Sequence, residues 1–394
     1  MEGGEGEEPW QVPRDGGSGE AGDKVLQLRV VPRCKPVYET LLVPLFPMKV
    51  RLKDVAAKAG VAVNTASTIL NRRPNSWASK ETEARVFAAA EELGYKPNRA
   101  AVGLRSGRFN TLGLLVPDLH NPYYTTFADL LDLEAEKRGF DLILENWRTD
   151  LKRERHFLED LSDRQIDGMA SFLSDNTAHA DFLRDQYRRG RPFVALTAAG
   201  GAPIAGDAVM VDFSAGLLGA VDALLELGHR SFAFLNALSE GQDDGHRREL
   251  LGRFLHERSG SSLRCQFIRC GHGLDSAFGA AREALRKPAA ERPTALIAMN
   301  DLAAVASLRA AVELGIRVPK DLSVVGVDDI PLGRFLGVTL STIGQPIGEM
   351  ARKTASLLIE RVEKTRVPEQ VEQVVFPARF IARESVGPAP VQPV

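Results

Sequence analysis

The chain of 394 residues contains only three cysteines, Cys34, Cys265 and Cys270. Their spacing fits neither a zinc site nor a CxxC redox pair, and the seven histidines show no metal-binding spacing. One cysteine would stay unpaired in any disulfide pattern, which favours a reducing cytoplasm. The GxSxG, HExxH and GxxxxGK[ST] motifs are missing as well. We therefore expect no enzyme activity, no cofactor and no metal.

Long apolar runs and a net charge are also lacking. No segment approaches the length of a membrane span, and the first residues do not have the basic start and apolar core of a secretory signal. Lys and Arg number 50 against 52 Asp and Glu, so the overall charge indicates no particular partner. Residues 1–23 are rich in Gly and Glu and have almost nothing to bury, and we expect residues 1–47 to form a disordered extension.

Residues 51–71, RLKDVAAKAGVAVNTASTILN, have the pattern of two short helices joined by a glycine turn. Apolar residues at i, i+3, i+4 and i+7 give the first helix one buried face. Small residues allow the second helix to cross it closely, which predicts a DNA-reading helix-turn-helix. A plain helical hairpin is the alternative. The predicted crossing residues are Ala56, Ala59, Ala62 and Ala66, and the predicted outward face comprises Val63, Asn64, Thr65, Ser67 and Thr68.

Local charge supports this interpretation. Residues 48–109 contain twelve basic and five acidic side chains, a net charge of +7 in a chain whose total is −2. Such a basic segment is typical of a surface that binds phosphate, although a solvated surface would also be basic. Because the excess coincides with the predicted helix pair, we favour nucleic-acid binding.

Ser79 stands where an N-cap would begin a third helix with an apolar face. The three helical segments together resemble the head of the lactose-repressor (LacI/GalR) family of bacterial transcription regulators, whose usual form is close to LKDVAxxAGVSxxTVSRVLN, with LGYxPN after the third helix. In the family, position 68 often reads a base through a longer side chain, so we expect a different operator preference. The departures are Ala62 for Ser, Ala66 for Val, Thr68 for Arg or His, and Ile69 for Val.

The resemblance implies how the head, residues 48–97, would engage DNA. Residues 98–109 match the family's hinge, which folds on operator DNA and drives a leucine into the minor groove, and Leu104 matches that leucine. An ordinary flexible linker is the alternative. The expected DNA-binding residues are Lys53, Val63, Asn64, Thr65, Ser67, Thr68, Asn71, Asn98 and Leu104.

The family normally begins a few residues before its first helix, and Met48 stands at that position. We therefore hypothesise that Met48 is the true initiator and that the preceding stretch is an upstream extension of the reading frame. A genuine acidic tail that screens the basic head is the alternative.

Residues 110–386 alternate apolar strands with amphipathic helices, the βαβ pattern of a doubly wound parallel sheet. The pattern restarts near Val209, which predicts two lobes with a ligand cleft at the carboxyl ends of their strands. The fold class is therefore an α helix-turn-helix head followed by an α/β body, whose two parallel-sheet lobes, by the resemblance, are of the periplasmic-binding-protein type. Residues 387–394 form a short tail.

Family resemblance extends from about Val50 to Ser385. It is carried by NPYY at 121–124, by LELGHRSFAFL, and by the long match that begins PTALIAMND. RQIDGMASF resembles the strand before the crossing between the lobes. The resemblance implies a homodimer on a pseudo-palindromic operator and a small sugar-like effector in the cleft.

The family's effector pocket can be transferred to some positions of this chain. Tyr123 and Tyr124 would lie against the apolar face of a sugar, while Asn300 and Asp328, each after a strand, would hydrogen-bond hydroxyls. Asn300 and Asp301 are both candidates for the N-cap of the helix that follows, and we favour Asp301. The family's pocket arginine falls at Glu249, which disfavours an anionic effector unless the neighbouring Arg248 takes its place. The expected effector-binding residues are Tyr123, Tyr124, Asp175, Asp212, Arg248, Asn300 and Asp328.

The sequence thus predicts a cytoplasmic, sequence-specific DNA-binding regulator whose operator affinity a sugar-like effector controls. The main alternative is a sugar-binding protein of a transport system, which shares the two-lobed body. That alternative requires a signal peptide and no basic helical head, and the sequence has the opposite features. A sugar-processing enzyme is a more distant alternative.

Overall fold

The computed structural model describes residues 50–71, 78–96, 103, 107–163, 165–237, 245–259, 263–365 and 370–391. The chain divides into two compact units, Met1–Tyr95 and Lys96–Val394. Within the described residues no helix combines the length and the apolar character that crossing a lipid bilayer requires.

The first unit contains the predicted helix-turn-helix and the third helix behind it. Its helices are α1 (Leu52–Ala59), α2 (Val63–Leu70) and α3 (Lys80–Glu92). Gly60 ends α1 with a φ of +66°, a conformation that glycine adopts without steric cost. Ser79 caps α3 as predicted, accepting a hydrogen bond from the Thr82 amide at 3.2 Å. The helices enclose a small core of Val55, Ala56, Ala59, Ala66, Ile69, Val86, Ala89 and Ala90.

Ala62 does not lie between the helices, so that part of the prediction is wrong. It is the exposed N-cap residue of α2, and its methyl group cannot accept a capping hydrogen bond. The i, i+3, i+4 spacing predicts that Ala62 shares a face with Ala59 and Ala66. That spacing holds only within one helix, and α1 ends at Gly60. The serine that the family pattern has at this position is a preferred N-cap residue, so Ala62 forgoes a capping interaction.

The second unit is built on two six-stranded sheets. The strand order is β2-β1-β3-β4-β5-β11 in the first, which is parallel throughout, and β7-β6-β8-β9-β10-β12 in the second, where β12 pairs antiparallel with β10. The strands are β1 (Thr111–Val116), β2 (Asp141–Asn146), β3 (Gly168–Phe172), β4 (Phe193–Ala198), β5 (Asp207–Asp212), β6 (Ser231–Ala237), β7 (Arg264–Cys270), β8 (Ala295–Ala298), β9 (Ser323–Asp328), β10 (Ser341–Gly344), β11 (Gln373–Pro377) and β12 (Arg379–Ile381).

Helices cover the sheets, as parallel strands require for burial on both faces. They are α4 (Pro122–Glu136), α5 (Leu151–Asp163), α6 (Ala180–Arg188), α7 (Ser214–Glu226), α8 (Gly245–Ser259), α9 (Leu274–Leu285), α10 (Asp301–Glu313) and α11 (Ile347–Val362), with a 3-10 helix at Pro331–Arg334. α11 follows β10 of the second lobe but packs against α4 of the first, because the chain crosses back there.

The crossing between the lobes lies later than predicted. β5, which contains Val209, pairs in parallel with β4 and belongs to the first sheet, so the second sheet starts at β6. The RQIDGMASF strand is β3, in the middle of the first sheet rather than before a crossing. Local sequence could not reveal this, since a βα unit has the same pattern in either lobe. The chain crosses three times, after β5, β10 and β11.

Two buried polar contacts join segments that follow a crossing to the lobe that they enter. Arg361 on α11 pairs with Asp207 on β5 at 2.8 Å, with Asp207 only 3% exposed. After the first crossing, the fully buried His229 ring lies 3.0 Å from Thr294 Oγ1 and 3.0 Å from the Gly387 carbonyl oxygen. Burial lowers the pKa of His229, which keeps the imidazole neutral at pH 7.

The exposed cap at Ala62 generates a stability prediction. Ala62→Ser should stabilise α2 by about 1 kcal/mol, since a serine oxygen can accept from the second or third amide of the helix. Hydrogen exchange of the α2 amides should slow by about fivefold. Ser79→Ala, which removes an existing cap, is the matched control and should speed exchange in α3 by a similar factor. Unchanged exchange in the Ala62→Ser variant would contradict the cap assignment.

Candidate effector cavity and DNA-reading face

The exposed end of α2 carries most of the predicted DNA-reading residues. Val63 and Asn64 are exposed, as is Lys53 on α1, while Thr65 and Thr68 are half-buried. Val63, Asn64 and Thr65 lie in the first turn of the second helix of the helix-turn-helix, the part that contacts base edges in this motif. This exposed face of α2 is therefore accessible to the major groove of DNA.

Ser67 differs from the prediction, because it is only 6% exposed rather than outward. Its carbonyl oxygen accepts from Asn71 Nδ2 at 2.6 Å, so Asn71 closes the end of α2. Thr68 Oγ1 donates to the Asn64 carbonyl oxygen at 2.9 Å, one turn earlier. The helical period could not separate these positions, since Ser67 lies at the border between the buried and exposed faces. Asn98 and Leu104 lie outside the described residues.

A cavity of about 300 Å³ lies between the two lobes of the second unit. Its walls come from the segments that follow β1 to β5 in one sheet and β6 to β10 in the other. The carboxyl ends of both parallel sheets thus meet at one place, where open α/β sheets bind ligands. The volume is at the lower end of the range for small-molecule sites.

Aromatic rings form one wall of this cavity. Tyr123 and Tyr124 begin α4, and both rings pack edge-to-face on Phe172 at the end of β3, with centroids 5.9 and 5.0 Å away. Phe127, one turn later in α4, packs on the same ring at 4.9 Å. The wall is therefore rigid and largely apolar, as suits the carbon face of a sugar ring.

Asp328 is one of two carboxylates that the described part of the chain places in the cavity wall, with Asp118 as the other. It ends β9 with a φ of +116°, an uncommon backbone conformation for a residue other than glycine. Its carboxylate accepts from Gln345 Nε2 at 2.8 Å and from Asn121 Nδ2 at 3.4 Å. Asn121 belongs to the first lobe and Asp328 to the second, so this contact spans the cleft.

Gln345 completes the link between the lobes, and the sequence analysis missed it. Its Oε1 accepts from the Tyr123 hydroxyl at 2.9 Å while its Nε2 donates to Asp328. It immediately follows β10 and lines the cavity. The signal that identified Asp328, a polar side chain just beyond a strand, would also have found Gln345 had β10 been assigned.

The N-cap of α10 is Asn300 rather than Asp301, which corrects the predicted cap. Asn300 Oδ1 accepts from the Ala303 amide at 2.7 Å, and the residue lines the cavity. Asp301 is 1% exposed and accepts from the Ile330 amide at 2.8 Å and from Thr342 Oγ1 at 2.6 Å. Burial, outweighing those hydrogen bonds, raises the pKa of Asp301 to about 7.

The remaining predicted effector residues lie away from the cavity walls. Asp175 and Asp212 each accept a hydrogen bond from the amide two residues later, at 2.7 and 2.8 Å, as turn residues do. The Arg248 guanidinium carbon lies 4.9 Å from the centre of the Phe267 ring, and the side chain is exposed. A position at the end of a strand brings a residue to the edge of the sheet where the cavity lies, but it does not decide where the side chain points.

Comparison with known proteins identifies both units. Residues 51–98 match the model of the bacterial regulatory proteins, lacI family, and residues 221–386 match the periplasmic binding protein-like domain. The HTH-type transcriptional repressor PurR of Proteus mirabilis is 27% identical over 339 residues, 86% of this chain and 97% of that protein. The chain belongs to the lacI family of bacterial regulatory proteins. Its relatives are transcriptional regulators rather than enzymes.

Solved structures show the same architecture. The regulator is 26% identical to the transcriptional regulator CelR in its cellobiose complex, with a TM-score of 0.59 over 85% of this chain and 99% of that one. The lac repressor dimer bound to operator has a TM-score of 0.73 at 22% identity, covering 86% of this chain and 99% of that one, and this likeness shows the fold. The predicted fold class and family are therefore confirmed.

The buried Asp301 carboxyl generates a prediction about pH. Its pKa of about 7 in the folded chain exceeds the unfolded value of about 3.9, so between these values the folded state holds a proton that the unfolded state releases. Stability should therefore fall as pH rises through this window and stay level above it. Asp301→Asn should gain about 2 kcal/mol relative to the wild type between pH 5 and pH 8.

Urea unfolding at the two pH values measures this difference. Asp175→Asn, at an exposed aspartate, is the control and should show no such change. If the gap between Asp301→Asn and the wild type is the same at pH 5 and pH 8, Asp301 is not protonated in the folded protein.

Proposed function

We propose that this protein is a homodimeric transcriptional repressor that binds a pseudo-palindromic operator in the cytoplasm. A small, neutral, polyhydroxylated effector controls its affinity for that operator. The observation that carries this proposal is the presence, in one chain, of a helix-turn-helix head and a two-lobed ligand cavity. A sugar-binding protein of a transport system does not need a DNA-binding head. Two heads related by a two-fold axis favour a palindromic site.

The chemistry of the cavity supports a neutral, hydroxyl-rich effector. Asp328 and Asn300 offer an acceptor and a donor, and the Tyr124 and Phe172 rings offer an apolar surface. Among the described residues that line the cavity there is no Lys or Arg. Burial lowers the pKa of His272, partly offset by Asp118, so its imidazole is neutral at pH 7. An anionic effector would find no counter-charge there.

Coupling between the cavity and DNA requires that the effector prefer one arrangement of the lobes. Tyr123, Gln345 and Asp328 join the lobes across the cavity, so a ligand placed among them changes the stability of that arrangement. In the proposal, the arrangement of the first lobes in the dimer decides whether residues 98–109 fold on the operator. A coupling free energy of about 1 to 3 kcal/mol would change operator affinity about 5- to 150-fold.

Selection of bound sequences from a random DNA pool tests DNA recognition, and gel shifts with the selected operator test its control. Affinity should fall steeply with salt, since phosphate contacts release counterions. It should also change when a bound sugar is added. Failure to select any sequence at low salt would exclude a repressor, whereas selection without any response to sugars would exclude only the proposed effector class.

Asp328→Asn is expected to weaken effector binding by about ten- to hundredfold, because it removes a charged acceptor of hydroxyl hydrogen bonds. Operator binding without sugar should persist, because the head is unaltered, with an affinity that shifts as the contacts between the lobes weaken. Calorimetry with a responding sugar measures the first effect and gel shift the second. Asp212→Asn, the same change on a strand-end aspartate outside the cavity walls, is the matched control and should bind sugar normally.

Leu104→Ala should lower operator affinity on the order of tenfold and leave sugar affinity unchanged, because the apolar wedge for the minor groove is lost. Gel shift and calorimetry on the same preparation separate the two properties. Equal operator affinity in variant and wild type would mean that residues 98–109 act as a plain linker.

A further inference from the structure

Two glycines lie in the segment that connects the head to the first lobe in sequence. Gly103 is helical and buried, and its carbonyl oxygen accepts from the Gly107 amide at 2.7 Å, the i to i+4 spacing of an α-helix. Gly107 has a φ of +69°, so the chain leaves the helical conformation there. We call this contact the hinge hydrogen bond, because it lies within residues 98–109.

The Phe109 ring packs directly on Gly103. A Cβ atom built on Gly103 would lie 2.6 Å from Cε1 and 3.0 Å from Cγ of that ring, closer than side-chain atoms approach one another. Because Cγ is bonded to Cβ of Phe109, turning the ring about its own axis would not relieve the overlap. Only glycine therefore fits at position 103 while Phe109 keeps its position.

The amino edge of the first sheet fixes the backbone of Phe109. The Asp167 carboxylate accepts from the Phe109 amide at 2.9 Å and from the Thr111 amide at 3.0 Å. The Asn110 carbonyl oxygen accepts from the Asp141 amide at 2.9 Å. Asp167 directly precedes β3 and Asp141 begins β2, so residues on both sides of β1 hold this segment.

The same strands connect this edge of the sheet to the cavity. β1 is followed by Pro117 and Asp118, which line the cavity, and β3 ends at Phe172 in the aromatic wall. β1 has six residues and so spans about 20 Å. Because paired strands move as one rigid element, a displacement of the first lobe carries Phe109 with it.

We propose that Phe109 and Asp167 form a hinge anchor on the first lobe, against which Gly103 packs when the hinge hydrogen bond forms, so that the lobe determines how the hinge meets the operator. Phe109 and Asp167 are positioning residues, because they act on DNA binding through the hinge. Burial of the ring face against Gly103 stabilises the folded hinge. This inference rests on the proposed function and names the contact through which the first lobe regulates it.

Gly103→Ala distinguishes a hinge anchor from a hinge that merely folds on DNA. Alanine favours a helix over glycine, so without the anchor the substitution should strengthen operator binding by up to about fivefold. With the anchor, the added Cβ overlaps the Phe109 ring, and we expect operator affinity to fall about tenfold. Gel shifts of the full-length protein with the operator selected from the random pool measure the sign of the change.

Gly279→Ala is the matched control, because Gly279 lies in α9 and a Cβ there would meet no atom within 4 Å. This variant should bind the operator like the wild type. Phe109→Ala should also lower operator affinity about tenfold. The double variant Gly103→Ala, Phe109→Ala should bind no more weakly than Phe109→Ala alone, because removing the ring relieves the overlap.

Hydrogen exchange of the Gly107 amide measures the hinge hydrogen bond without DNA. Exchange should be about tenfold faster in Gly103→Ala and in Phe109→Ala than in the wild type, because the packing that protects this amide is lost. Gly279→Ala should leave the exchange rate of this amide unchanged.

Each outcome decides between the two proposals. Weaker operator binding by Gly103→Ala, with no further loss in the double variant, supports the hinge anchor. Binding by Gly103→Ala as tight as or tighter than that of the wild type, or additive losses in the double variant, overturns the anchor and leaves the proposed function intact. If the wild type selects no operator at low salt, the proposed function fails and the regulatory role of the anchor fails with it, whereas unchanged Gly107 exchange in Phe109→Ala overturns only the anchor.

Discussion

The hydrogen bonds that meet at Gln345 and Asp328 are the interaction on which the two-lobed unit depends as a receptor. From the first lobe, Asn121 donates to Asp328 and the Tyr123 hydroxyl donates to Gln345. Gln345 in turn donates to Asp328 through its Nε2. Asn121 and Asn300 have the same local role in the two lobes, although the strands they follow, β1 and β8, hold different places in their sheets. Each caps the helix after a strand through its Oδ1, so its amide nitrogen remains to donate into the cleft.

The backbone around Asp328 explains why this network holds its geometry. Asp328 and Asp329 both have positive φ, and neighbouring groups anchor them: Thr342 Oγ1 accepts from the Asp329 amide at 3.3 Å, and Arg334 pairs with its carboxylate. Beneath them, Asp301 binds Thr342 and the Ile330 amide. Strain in the backbone is therefore balanced by a buried polar layer, an arrangement common where a side chain must be aimed at a ligand.

The sequence predicts the architecture and the centre of the site well, because both follow from local rules. Strand ends put Asp328 and Asn300 in the cavity, and small residues between α1 and α2 mark the helix-turn-helix. What it could not predict depends on contacts distant in sequence. β5 joins one sheet rather than the other through pairing with β4, and Gln345 accepts from the hydroxyl of Tyr123, 222 positions earlier in the chain.

The network also limits how an effector can act. Asp328 already accepts from Gln345 and Asn121, so a sugar hydroxyl that displaces either donor breaks a contact that joins the lobes. The effect on the lobes is then a difference between two sets of similar hydrogen bonds, which limits the size of the proposed coupling. Groups that join no such contact between the lobes, such as the Phe172 ring, would add affinity without changing the balance. Control of the operator and affinity for the effector would thus reside in different parts of one cavity.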